Sequence, residues 1–133
     1  MIRGIGLDLV ELNRIEKMML RTEKFQQRIL TSRELAIFET LTPSRKVEFL
    51  AGRFAAKEAY SKANGTGISA GCELHQIEIL KDEAGKPVLY FDGALVNGFV
   101  SITHTKTTAA AQVIGLWSLF AKIIMIIFLS SIT

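Results

Sequence analysis

The sequence has few of the residues on which disulfide, metal–thiolate and low-complexity proteins depend. Its 133 residues include one cysteine, two prolines and one tryptophan. The single thiol, Cys72, excludes an intrachain disulfide framework and a CxxC metal site, and it favours a reducing compartment such as the cytoplasm. The low proline content excludes collagen-like and proline-rich chains. Hydrophobic residues make up 49% and charged residues 22% of the chain, which is typical of one folded domain.

Charge of one sign is also scarce. The formal net charge is +3, which suits an acidic or phosphate-bearing partner but is too small to predict nucleic-acid binding. The first fifteen residues do not resemble a secretory signal, because Asp8 and Glu11 interrupt the apolar positions. We therefore expect a cytoplasmic protein with no nucleic-acid partner.

One long hydrophobic run is present, near the C-terminal end. Residues 113–129 read VIGLWSLFAKIIMIIFL, and only Ser118 and Lys122 interrupt the apolar residues. A membrane-spanning helix needs roughly 20 apolar residues, with ~17 as a lower limit. Because a lysine lies in the middle of this short run, we do not expect a membrane partner.

Hydrophobic periodicity predicts helices in the first half of the chain and strands mainly in the second. The predicted helices cover residues 11–30, 32–41 and 45–63. Thr31 and Ser32 suit the start of the second helix, and Asn64 and Gly65 suit a left-handed cap at the end of the third. Short apolar runs bounded by turn residues predict strands over residues 2–10, 75–82, 86–93, 98–105 and 109–116. The predicted class is α+β, with helices packed on an antiparallel sheet.

Two carboxylates stand where apolar neighbours make a charge costly. Glu58 lies four residues after Phe54 on the apolar face of the longest helix, and Lys62 follows one turn later. Asp8 lies in the apolar first strand. Asp8 and Glu58 are therefore candidate ligands for Mg²⁺, which proteins hold with one or two carboxylates plus substrate phosphates and water. The simpler alternatives are a Glu58–Lys62 ion pair and an Asp8 that caps the next helix.

Cations and small residues around the longest helix suggest a phosphate site. Gly65, Thr66 and Gly67 could offer backbone N–H groups, and His104 ends a predicted strand. Such a short glycine loop is a weak signal, helix cations usually face solvent, and neither a Rossmann nor a Walker motif is present. The candidate phosphate-binding cations on the flanks of this helix are Arg45, Lys46, Arg53 and Lys57.

A second group of cations forms a stripe on the first predicted helix. At spacings of three and four residues, they share one face if the helix is unbroken: Arg14, Lys17, Arg21, Lys24 and Arg28. A solvated face is the ordinary explanation. Because the stripe has charge of one sign, docking of an acidic helix explains it equally well. A non-catalytic basic module that docks an acidic helical partner or nucleic acid is thus one functional hypothesis.

Three segments, considered together, resemble the holo-acyl-carrier-protein synthase family of 4'-phosphopantetheinyl transferases. They are GIGLDLVELNRI, FLAGRFAAKEAYSKANGTGI and VSITHT, and the similarity extends over residues 1–114. The resemblance implies the fold of that family and Mg²⁺-dependent transfer of the phosphopantetheine arm of coenzyme A to a serine of apo-acyl carrier protein, in fatty acid biosynthesis. It also implies release of adenosine 3',5'-bisphosphate and a homotrimer with active sites between protomers.

The same resemblance implies roles for individual residues. Asp8 and Glu58 would hold Mg²⁺, and Lys62, Gly65 and Thr66 would bind the pyrophosphate, so that Asp8, Glu58 and Lys62 form the catalytic group. Either Glu58 or a water on the metal would accept the serine proton. The nucleotide end and its 3'-phosphate would contact Arg45, Lys46, Arg53 and His104. The acidic recognition helix of the carrier would contact Arg14, Arg21, Lys24 and Arg28.

The resemblance does not extend to the end of the chain. We expect a transferase domain over residues 1–115 and an atypical hydrophobic tail over residues 116–133. The tail could be an extra packing element, a membrane-surface segment that makes the protein membrane-peripheral, or a non-native or disordered end. Of these three, we favour the last.

Overall fold

The structure is a computed structural model that describes residues 1–132, without the side chains of residues 119–122. Lys122, noted above, therefore lies outside the described side chains. The strands are β1 (Ile2–Glu11), β2 (Ile77–Lys81), β3 (Pro87–Phe91), β4 (Ala94–Leu95), β5 (Gly98–His104) and β6 (Thr108–Leu116). The helices are α1 (Leu12–Arg21), α2 (Lys24–Ile29), α3 (Ser32–Phe38), α4 (Pro43–Asn64) and α5 (Leu119–Ile132). The predicted α+β class is confirmed.

The described strands form two antiparallel sheets where the sequence suggested one. The first has the order β1-β6-β5, and the second has the order β2-β3-β4. Helix α4 packs mainly against β1 and β6 of the first sheet. This arrangement places the long helix across the sheet that contains the strand with Asp8.

Small residues allow β1 and α4 to approach closely. Ala51, Ala55 and Ala59 of α4 are fully buried. A Cβ atom added to Gly6 would lie 1.7 Å from the carbonyl oxygen of Ala59. The backbone of β1 therefore lies directly on the helix, at a distance that only glycine permits.

Replacing Gly6 by alanine should therefore loosen this contact. We expect Gly6→Ala to lower the free energy of unfolding by about 1–3 kcal/mol, because a backbone must shift to admit the methyl group. Urea denaturation of the two proteins measures the difference. Gly115→Ala in β6 is the control, since its added Cβ would be 3.7 Å from the nearest atom, the Gly4 carbonyl oxygen. Equal losses in the two variants would contradict the close contact.

The first predicted helix is broken into two helices, so the prediction of one continuous basic stripe on a single helix is wrong. Helix α1 ends at Arg21, and Thr22 takes an extended conformation with φ −166° and ψ 142°. The Thr22 hydroxyl accepts a hydrogen bond from the backbone N–H of Lys24 at 3.2 Å, which competes with continued helical bonding. The five cations are exposed, but they are divided between two helices: Arg14, Lys17 and Arg21 on α1, and Lys24 and Arg28 on α2.

The predicted ends of two helices are confirmed. Thr31 and Glu34 form a reciprocal capping box at the start of α3. Gly65 caps α4 with φ 82° and ψ 3°, a left-handed conformation that glycine adopts without steric cost.

Residues Leu119–Ile132 of the hydrophobic tail form helix α5, whereas the sequence favoured a non-native or disordered end. The described side chains of α5 are exposed to solvent. Within the described part of the chain, no helix combines the length and hydrophobicity that crossing a membrane requires.

Candidate active site

The candidate site lies where β1 crosses the C-terminal end of α4. The Lys62 ammonium donates to an Asp8 carboxylate oxygen at 3.0 Å and to the carbonyl oxygen of Leu7, also at 3.0 Å. The Asp8 side chain retains 16% of its exposure, whereas that of Lys62 retains 51%. The acid is thus held in the wall of the site while the cation reaches toward solvent.

Glu58 lies one turn before Lys62 on α4 and is half-buried. Burial raises the pKa of its carboxyl group, the negative charge of Asp8 raises it further, and Lys62 and Arg14 oppose the rise. Among the described residues, the Glu58 carboxylate has no hydrogen-bond or ion-pair partner. Two carboxylates that repel each other therefore lie near one another here, and the ion pair of Lys62 is with Asp8.

Both simple alternatives for these acids are wrong. The expected Glu58–Lys62 pair is absent from the described contacts, because Lys62 pairs with Asp8. Asp8 does not cap α1, whose N-cap residue is Glu11. Asp8 is therefore held by Lys62, whereas the Glu58 carboxylate beside it remains available for a ligand.

The donor set fits Mg²⁺ better than a zinc-type site. In the described part of the chain, no cluster of three or more His, Cys, Asp and Glu side chains could hold a metal ion. Asp8 and Glu58 supply two hard oxygen donors, which suits a cation that takes its remaining ligands from phosphate and water. Both also lie near the C-terminal end of α4, where the helix dipole favours positive charge.

The raised pKa of Glu58 predicts how this acid affects stability. The folded state disfavours the ionised form of Glu58. The protein therefore loses stability as pH rises from the unfolded pKa of Glu58, about 4.3, through its raised folded pKa. We expect the difference in melting temperature, Glu58→Gln minus the parent, to increase as pH rises from about 4 to about 7. Thermal denaturation in EDTA measures this. A difference that does not change with pH would contradict the raised pKa.

The backbone N–H groups of the loop after α4 donate to carbonyl groups of α4. The N–H group of Gly65 donates to the carbonyl of Lys62, and those of Thr66 and Gly67 both donate to the carbonyl of Ser61. The last carbonyls of a helix lack partners within it, and these amides satisfy them. These amides therefore close the end of α4, and the role of Gly65 and Thr66 at a pyrophosphate stays a prediction.

A second cluster lines a cavity of about 630 Å³ beside the N-terminal half of α4. The Glu48 carboxylate lies 3.6 Å from the Arg45 guanidinium and 3.6 Å from the His104 imidazole. Arg53 also lines this cavity, but its guanidinium stacks 4.2 Å from the centre of the Phe49 ring. Burial lowers the pKa of Arg53. Three of the four residues predicted for the nucleotide end thus share one cavity.

Two other cations lie elsewhere. Lys46 is 5.2 Å from the centre of the Phe38 ring and lines a different cavity, so the described geometry does not support its place at the nucleotide end. Lys57, expected on a solvated flank, is fully buried and pairs with Glu34 at 2.6 Å. Periodicity did not reveal this pair, because lysine on a helix normally marks its exposed side.

The two clusters are far apart within the chain. Arg45 and Lys62 both lie on α4 and are separated by 17 residues (62 minus 45). At 1.5 Å per residue, this places them about 25 Å apart along the helix. The sequence did not indicate Glu48 either, although its position three residues after Arg45 is a usual ion-pair spacing.

Comparison with known proteins identifies the class to which this site belongs. Residues 4–116 match the family model of the 4'-phosphopantetheinyl transferase superfamily, and the chain belongs to this superfamily. It is 56% identical over 114 residues to the holo-[acyl-carrier-protein] synthase of Geobacillus sp. (strain WCH70), which covers 86% of this chain and 96% of that relative. It is 59% identical over 117 residues to the synthase of the same name from Bacillus velezensis, covering 86% and 95%.

Solved structures agree with this assignment. The fold is similar to that of a holo-(acyl-carrier-protein) synthase from Bacillus anthracis in complex with CoA (3',5'-ADP), with a TM-score of 0.79 and 50% identity over 89% of this chain and 99% of that one. It is also similar to the synthase from Neisseria meningitidis, with a TM-score of 0.81 and 36% identity over 88% of this chain and all of that one. The resemblance and the fold inferred from the three sequence segments are confirmed.

Proposed function

We propose that this protein transfers the 4'-phosphopantetheine arm of coenzyme A to a serine hydroxyl of an apo-acyl carrier protein, the modification that prepares the carrier for fatty acid biosynthesis. The observation that carries the proposal is the meeting of Asp8, Glu58 and Lys62 at the crossing of β1 and α4. Membership of the transferase superfamily and the names of the relatives support it.

Asp8 and Glu58 hold Mg²⁺ in this proposal, with coenzyme A phosphates and water as the other ligands. Burial and the nearby charge of Asp8 both raise the pKa of Glu58, which supports a site that a bound cation would stabilise. When bound, the ion would neutralise charge on the phosphate oxygens.

The reaction exchanges one phosphorus–oxygen bond for another. The serine oxygen attacks the β-phosphorus of coenzyme A, the bond to the bridging oxygen breaks, and adenosine 3',5'-bisphosphate leaves. Lys62 stabilises or protonates the leaving oxygen, because its ammonium group reaches toward solvent from its anchor on Asp8. Glu58, which lies beside Asp8 and Lys62, is a candidate acceptor of the serine proton.

The nucleotide end of coenzyme A binds Arg45, Arg53 and His104 of a neighbouring protomer in a homotrimer. The 25 Å that separates Arg45 from Lys62 along α4 supports this, being longer than the span from the pyrophosphate to the 3'-phosphate of one nucleotide. An unpartnered row on β1 also supports assembly, since Ile5, Leu7 and Leu9 alternate along the strand and are more than half exposed.

The carrier docks on Arg14 and Arg21 of α1 and on Lys24 and Arg28 of α2, all of which are exposed. Arg14 supports this location, because its positive charge acts on the carboxyl group of Glu58 and thus connects the basic surface with the catalytic group. An acidic helix held there would bring its serine near the phosphate. A free, buried Cys72 supports a reducing location such as the cytoplasm.

Reversing the charge of Arg14 should separate carrier binding from coenzyme A binding. We expect Arg14→Glu to raise the KM for the carrier by about tenfold or more, with a smaller effect on the KM for coenzyme A. Steady-state kinetics with each substrate varied in turn measure both values. Lys17→Glu, on the same helix but outside the proposed contacts, is the matched control. Equal effects of Arg14→Glu on both substrates would contradict the docking role.

Intact-protein mass spectrometry tests the proposed function directly. The protein is incubated with apo-acyl carrier protein, coenzyme A and Mg²⁺, with an EDTA control. We expect the carrier to gain one phosphopantetheine arm only when the metal is present. If the folded protein binds the carrier but transfers nothing, with and without residues 117–133, the non-catalytic docking module replaces the transferase.

A further inference from the structure

Helix α5 presents apolar side chains on every side. Residues 123–129 are consecutive and apolar, and at 3.6 residues per turn they cover almost two complete turns. All seven side chains are exposed, from 38% for Met125 to 65% for Ile126. A groove on a protein partner covers one face of a helix, whereas a helix that is apolar all round needs apolar surroundings on all sides.

The exposed apolar surface continues onto the domain at the base of α5. The backbone N–H group of Trp117 donates to the carbonyl of Met1 at 3.1 Å, and Ile2 pairs with Leu116. Met1 is 72% exposed and Ile2 is 53% exposed, so both lie at the surface beside the start of the helix. The exposed apolar side chains of Met1 and Ile2 thus lie next to the exposed apolar helix α5.

Charge at this end of the chain is positive. No aspartate or glutamate follows Asp92 in the sequence. The Arg3 guanidinium lies 5.4 Å from the centre of the Trp117 ring, which joins a cation to an aromatic side chain at the base of α5. Tryptophan and arginine are residues that commonly occupy the boundary between lipid and water.

We propose that α5 and its base bind the surface of an anionic lipid bilayer. With 14 residues, the helix is about 21 Å long, which is shorter than the roughly 30 Å hydrocarbon core of a bilayer. It therefore enters from one side while the transferase domain remains in water. Anionic headgroups attract the basic chain, and apolar burial holds it. This reverses the expectation, drawn from the sequence, that the protein has no membrane partner.

Sedimentation with sucrose-loaded vesicles tests this proposal on the full chain. One set of vesicles contains phosphatidylcholine only, and the other contains phosphatidylcholine with phosphatidylglycerol. We expect the protein to sediment with the second set, more weakly as salt increases, and the fluorescence of Trp117 to shift to shorter wavelength. Ile126→Asp places a charge at the centre of α5 and should weaken binding at least ~10-fold.

The control is Leu20→Asp, which changes another exposed leucine on α1, away from α5. It should sediment as the parent does, and Ile126→Asp should keep its transfer activity in water. Absence of vesicle binding would overturn the proposal, as would equal binding of Ile126→Asp and the parent. A third outcome would assign α5 to contact with a second copy of the chain. In that case the parent would not bind vesicles, and its mass by analytical ultracentrifugation would be larger than that of Ile126→Asp.

Discussion

Removal of the Asp8 carboxylate is expected to abolish transfer while leaving the fold intact. Asp8→Ala removes one of two proposed metal ligands and the anchor of Lys62, so both the cation and the ammonium group lose their position. Because preorganised charge is the main source of catalysis in phosphoryl transfer, we expect the rate to fall by at least ~10³-fold. The time course of carrier modification, followed by intact mass, measures this.

The control for this variant is Glu11→Ala at the exposed end of the same strand. Glu11 makes no side-chain cap bond with α1, so its loss should leave the transfer rate nearly unchanged. Both variants should retain the circular dichroism spectrum of the parent. Normal turnover of Asp8→Ala at saturating Mg²⁺ would refute the assignment of Asp8 to the metal, whatever the result for Glu58→Ala.

The second large effect is expected in the core, at the Lys57–Glu34 pair. Both side chains are completely buried. Lys57 donates to Glu34 at 2.6 Å and to the carbonyl of Ile29 at 2.5 Å. Glu34 also accepts from the backbone N–H groups of Thr31 and Ile79, each at 2.9 Å. One ion pair thus connects α2, α3, α4 and β2.

Breaking this pair from one side leaves a buried carboxylate without its cation. We expect Lys57→Met to lower the free energy of unfolding by about 3–5 kcal/mol. The melting temperature should fall by roughly 10 °C or more. Urea and thermal denaturation measure the two quantities.

Two comparisons separate the buried charge from other causes. Lys62→Met removes an ammonium group from a half-exposed pair and should cost at most about 1 kcal/mol. The double variant Glu34→Leu with Lys57→Met removes both charges and should recover part of the loss. A loss below 1 kcal/mol for Lys57→Met would contradict the importance of the pair.

Much of the fold and of the candidate site could be predicted from local sequence. The boundaries of α4, the capping box at Thr31 and the left-handed Gly65 follow from interactions within a few residues of each other. The unusual positions of Asp8 and Glu58 were also visible, because an acid among apolar neighbours differs from its local context. The motifs that resemble the transferase family placed both acids in one site, which their separation of fifty residues (58 minus 8) alone did not.

Tertiary contacts decided which partner each charged group takes. The sequence by itself determined that Lys57 and Lys62 are cations in the C-terminal half of the longest helix, and it left open a pair between Glu58 and Lys62. The packing of β1 on α4 brings Lys62 into an ion pair with Asp8. The packing of α3 and β2 on α4 brings Lys57 into an ion pair with Glu34. Periodicity determines which face a residue occupies, but a buried charge is stable only beside a partner that the rest of the chain brings to it.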